Sequence, residues 1–79
     1  MDHKLYLEYL NQYVREAAAQ SDGSVRGIAE LLHARSVSGL LVRHREEKKR
    51  ALHDAQQAFD EHRHWPLEII LSHLGVALE

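Results

Sequence analysis

Apolar side chains recur at spacings of three and four along nearly the whole chain, and only two short stretches interrupt them. In the first segment Leu5, Tyr6, Tyr9, Leu10, Tyr13, Val14 and Ala17 share one side, while Lys4, Glu8, Asn11, Gln12 and Arg15 share the other. A strand would alternate every second residue, so this pattern predicts an amphipathic helix over about 3–20. The interruptions are SDGS at 21–24 and HRHWP at 62–66. They hold the only proline and one of the four glycines, and no repeat or low-complexity tract intervenes.

Further helices follow from local chemistry. Ser24 can cap an orphaned backbone N–H, after which Val25, Ile28, Ala29 and Leu32 share a face, predicting a short helix over about 25–34. Ser36 offers a second cap, and Val37, Leu40, Leu41, His44, Lys48, Leu52, Ala55 and Phe59 keep helical spacing to about residue 61. Pro66 suits a first turn, and Gly75 suits the left-handed position beyond a last one, with Val76 touching Leu71. These predict a fourth helix over about 66–74. The fold class expected is all-α: one domain over 1–79, a small helical bundle with one long helix. At 1.5 Å per residue the third helix would run to roughly 37 Å, more than the roughly 30 Å across a domain of this size. Its apolar ends, 37–42 and 51–59, are expected to seed two small cores.

Between those ends lie eight positions, Arg43 to Arg50, without an apolar side chain. Glu46 precedes Arg50 by four residues and Glu47 by three, so the octet can support itself as a solvated helix face. It also concentrates charge. Residues 24–53 carry seven basic and three acidic side chains, a balance of +4. Residues 54–79 set Arg63 against Asp54, Asp60, Glu61, Glu68 and Glu79, a balance of −4.

With 79 residues and no cysteine, the chain must rely on a marginal hydrophobic core, and association with another chain is a common supplement. No apolar run exceeds three residues, and MDHKLYLEYL lacks the hydrophobic stretch of a signal peptide. A soluble cytoplasmic protein is therefore expected. The closing Leu78-Glu79 has the form of a cloning scar and is given no weight.

For function, the first reading is a non-enzymatic regulator that binds a protein partner through helical surfaces, as a homodimer. Tyr6, Tyr9 and Tyr13 combine an apolar ring with a wet hydroxyl, a frequent combination at interfaces, and Leu40 and Leu41 could complete such a face. The alternative is nucleic-acid binding. SVRGIAELLHARSVSGLLVRHR resembles a helix-turn-helix at Ile28-Ala29-Glu30-Leu31-Leu32, with His33 at the turn position commonly held by glycine. That resemblance implies groove or phosphate contacts from Arg35, Ser36, Ser38, Arg43 and Arg45, extended by Lys48 and Lys49.

Seven histidines raise the question of a metal. His62 and His64 beside Glu61, with His53 earlier, fall short of four ligands at constrained spacing, so no metal or other cofactor is expected. Exposed imidazoles confer sensitivity near pH 6 instead. No nucleophile elbow, phosphate-cradling loop or H-E-x-x-H occurs, and the adjacent carboxylates Asp60 and Glu61 diverge on a helix, so no catalytic residue is assigned. Trp65 is read as a staple of the turn before the fourth helix.

Overall fold

Asp2 begins the first helix as its side chain accepts hydrogen bonds from the backbone N–H groups of Lys4 (3.0 Å) and Leu5 (3.3 Å), two donors that a helix start leaves unpaired. The structure, a computed structural model, describes residues 2–38 and 46–77. Its helices are α1 (His3–Gln20), α2 (Val25–Ser38), α3 (Glu46–Glu61) and α4 (Leu67–Leu74), with no strand among the described residues. The all-α class and the four helices expected from the sequence are what the chain adopts.

Ser24 caps α2 as expected, its hydroxyl accepting from Gly27 N–H at 3.0 Å and in turn donating to Asp22 at 2.6 Å. The Ser24 hydroxyl first, and then the Ser24 backbone N–H donating at 2.9 Å, hold the exposed Asp22 carboxyl below the usual carboxylate range. The boundary between the second and third helices falls elsewhere than predicted. Residues 34–38 remain helical within α2, so Ser36 sits inside that helix rather than at the cap of the next. The physical reason is that Ala34, Arg35 and Val37 can all continue a helix, and residues 28–38 contain no glycine or proline. The stretch 39–45 of the predicted long helix lies outside the described residues. From Glu46 onward the helix is present, with Glu46 and Glu47 placed favourably at the positive end of its dipole.

Every described helix contributes to one core. Leu10, Val14 and Ala17 of α1 meet Ile28, Ala29 and Leu32 of α2, Ala51, Leu52, Ala55 and Phe59 of α3, and Ile70 of α4. The two separate cores expected from the sequence are thus a single cluster among the described residues. The principal extents are 31 × 24 × 21 Å. No described helix is long and apolar enough to cross a membrane.

The last helix is closed by the predicted glycine. Gly75 adopts φ 75°, its N–H donates to Ser72 O at 3.2 Å, and Val76 N–H donates to Leu71 O at 2.9 Å. That pair of bonds is a Schellman turn, and it buries Val76. Ala77 then returns to α1, its N–H donating to Asn11 Oδ1 at 3.2 Å and its carbonyl accepting from Arg15 Nε at 2.9 Å.

Ile70→Val should cost about 0.5–1.5 kcal/mol in urea unfolding, the usual loss for one buried methylene. Ile69→Val, on the outer side of the same helix, should stay within about 0.5 kcal/mol of the parent. Equal, negligible effects at both positions would show that α4 is not part of the cooperative core.

Candidate interaction surface

The three tyrosines hold α1 against the rest of the chain. Tyr6 donates its hydroxyl to Asp54 Oδ2 of α3 at 2.6 Å. Burial first, and then this bond to a carboxylate, push the phenol up to about 12. Tyr9 is half-buried and lies beneath Lys48, whose Nζ is 5.3 Å from the ring centroid, within cation–π range. Tyr13 is inside the core, and burial raises its phenol as well. What outer surface remains on Tyr6 and Tyr9 is already partly used by α3.

The residues considered for nucleic acid fall in several places. Arg35 donates to Glu16 at 2.7 Å and to Gln20 at 3.3 Å, joining α2 to α1. Ser36 is half-buried within α2, Ser38 is its last residue, and Lys49 is exposed on the first turns of α3. Since 33–36 are helical, the turn that the helix-turn-helix resemblance places at His33 is not formed. Leu40, Leu41, Arg43 and Arg45 lie outside the described residues.

A different surface stands out at the opposite end of α3. After Glu61 the chain turns sharply, with Trp65 N–H donating to His62 O at 2.9 Å. The same turn stacks the two rings, centroids 3.7 Å apart and planes 9° from parallel, so Trp65 does staple this turn. His73, on the last turn of α4, sets its edge against both rings, at 5.4 Å from His62 and 5.8 Å from Trp65. Ile69 and His73, four apart within α4, lie along one side of it, and Trp65, which precedes the helix, meets that side through the ring of His73. On that side Trp65 is 38% exposed and Ile69 51%. The other apolar residues of α4 face the core: Ile70 is buried, and Leu67, Leu71 and Leu74 pack partly against it.

Beside this stripe a cleft of about 310 Å³ opens between α1, α3 and α4. Tyr6, Asp54, Glu61, His62 and His73 line it. The surroundings are acidic: from 54 to 77 the only cation besides histidine is Arg63, and it is held by Asp60 at 2.9 Å. Among the described residues no three His, Asp or Glu side chains converge as metal ligands.

The sequence contained one sign of this surface. In LEIILSHL the apolar residues occupy more than one side of a short helix, so burying all of them was not feasible. The meeting of His62 and His73 was not readable, because it depends on the angle of the turn between α3 and α4. No protein-family model matches the chain, and no characterised protein or solved structure shows significant similarity to it.

The raised Tyr6 phenol has a pH consequence of definite sign. Its folded value of about 12 lies above the ordinary 10.0. The stabilising contribution is therefore complete below about pH 10 and lost as pH rises toward about 12. Ultraviolet titration of the phenols should show late ionisation accompanied by loss of helix. Tyr6→Phe should reduce that alkaline loss, leaving the portion due to Tyr13. An unchanged alkaline profile in the variant would remove Tyr6 as its source.

Proposed function

We propose that this chain is a non-enzymatic protein-binding module of the cytoplasm, and that its docking face is the Trp65–Ile69–His73 side of α4. The observation that carries the reading is Ile69, half exposed on a helix whose other apolar residues turn inward. His73, one turn further along the same side, meets the one tryptophan, which is stacked on His62. A rigid aromatic beside an exposed aliphatic is the composition of an interface anchor, since neither group loses much conformational freedom on binding.

Charge selects the partner. A second copy meeting α4 face to face would bring together two segments that each carry a balance of −4 over residues 54–79, and like net charge opposes association. The expectation of a homodimer therefore gives way, for this face, to a different protein that offers apolar residues flanked by lysine or arginine. An amphipathic helix with apolar anchors at i, i+3 and i+4 and a basic border fits this description.

Tryptophan fluorescence gives a direct test because Trp65 is the only fluorophore of its kind. A helical peptide with leucines on one side and lysines or arginines along the border should perturb it saturably, while the same peptide with glutamates should not. Ile69→Ser should weaken binding at least about tenfold, the cost of losing an interface anchor, without loss of far-ultraviolet helicity. Sedimentation should find a monomer at micromolar concentration. A stable dimer disrupted by Ile69→Ser would return the homodimer in place of the basic partner. Duplex DNA binding that falls steeply with salt and is unaffected by Ile69→Ser would favour the helix-turn-helix reading.

A further inference from the structure

The cleft beside α4 has a chemistry of its own. Asp54 and Glu61 are seven residues apart on α3, two turns along one side and so about 10.5 Å apart in rise. Each carboxylate has one recorded donor from the cleft's own wall: Tyr6 Oη donates to Asp54 Oδ2, and Gln57 Nε2 donates to Glu61 Oε1 at 2.9 Å. His53 Nδ1 also lies 3.3 Å from Asp54 Oδ1, and Arg50, one turn earlier, acts electrostatically on Tyr6. An ionised carboxylate offers about four lone-pair positions, so both retain capacity to accept. Neither a lysine nor an arginine lines the cleft.

The apolar part of the lining comes from Ala58 of α3 and Leu74 of α4, and Gln57 and the imidazoles of His62 and His73 complete the wall. An anion would meet two negative charges here. A small apolar ligand would leave them uncompensated. A flat cation on an alkyl stem suits this lining, with its stem beside Leu74, its N–H groups directed at the exposed Glu61, and Asp54 adding to the negative field. The volume of about 310 Å³ suits one side chain rather than a cofactor.

We propose that this cleft is a recognition pocket for a single arginine side chain, presented by the protein that docks on α4. The proposal rests on the docking reading for the source of that arginine, but the pocket's chemistry stands separately. Because His73 belongs both to the apolar stripe and to the cleft, one bound segment can place an apolar anchor on Ile69 and an arginine beside it.

The probe is N-acetylarginine amide, with N-acetylcitrulline amide as an uncharged counterpart of the same shape, titrated into the intact isotope-labelled chain and followed by amide and imidazole NMR shifts. The arginine compound should give saturable shifts centred on Ala58, Glu61, His62 and His73, and the citrulline compound should not. Glu61→Gln, at an exposed position whose replacement keeps the helix, should weaken binding about two- to fivefold, the range for one partly exposed charge pair. Ile69→Ser should leave arginine binding unchanged, whatever it does to peptide binding, so failure of the docking face and failure of the pocket are read separately. Equal responses to the two compounds, or shifts spread without saturation over the acidic surface, would overturn the pocket.

Discussion

Close packing on α3 is the constraint from which the rest of the molecule follows. Ala51, Ala55 and Ala58 recur at spacings of three and four and are buried, so the neighbouring backbones can come near the helix axis on that side. Leu52 and Phe59, also buried, fill the spaces that the alanines leave. Small and large residues alternating in this way allow side chains to interdigitate at the density of a protein interior. The helices α1, α2 and α4 each pack on α3, and α1 and α2 also pack on each other.

Polar contacts at the borders of this core set its alignment. Tyr6 with Asp54 and Asp2 N–H with Glu47 (2.9 Å) join α1 to α3, and Arg35 with Glu16 joins α1 to α2. Asn11 and Arg15 hold the chain after α4. Such partly exposed bonds contribute modestly to stability, about 0.2–1 kcal/mol each for ion pairs. Their larger effect is geometric: they determine which side of each helix is turned outward. Among the described residues Tyr13 brings the one hydroxyl into the core, no charged or amide side chain is buried, and no buried side-chain N or O atom lacks a partner. The surface that these contacts arrange includes Ile69 on α4 and Trp65 just before it.

Much of the fold was legible in the residues because it depends on local rules. The period of α1, the Ser24 cap, the Gly75 turn with Val76 on Leu71, and Trp65 as a staple each follow from a few neighbouring side chains. The end of α2 did not, because a serine that can cap a helix can also continue one, and Ser36 sits in a sequence that favours continuation. The surface was harder still. Tyr13 carries the same pattern as Tyr6 and Tyr9 but points into the core, a distinction made by the angle between α1 and α3. Ile69 and Ile70 are adjacent and chemically identical, and only the docking of α4 decides which one faces water.

The central claim is that α4 is an integral part of the core, so that Ile69 and Trp65 are held outward rather than exposed by fraying. Native-state hydrogen exchange measures this directly at the amides of Ile70 and Val76, which donate within α4 and its closing turn to Pro66 O and Leu71 O. Exchange at both should require the same global opening, with the same dependence on denaturant, as amides beside Leu32 and Phe59 in the centre of the bundle. Fast exchange of Ile70 and Val76 that is insensitive to denaturant, while the centre stays protected, would contradict the account.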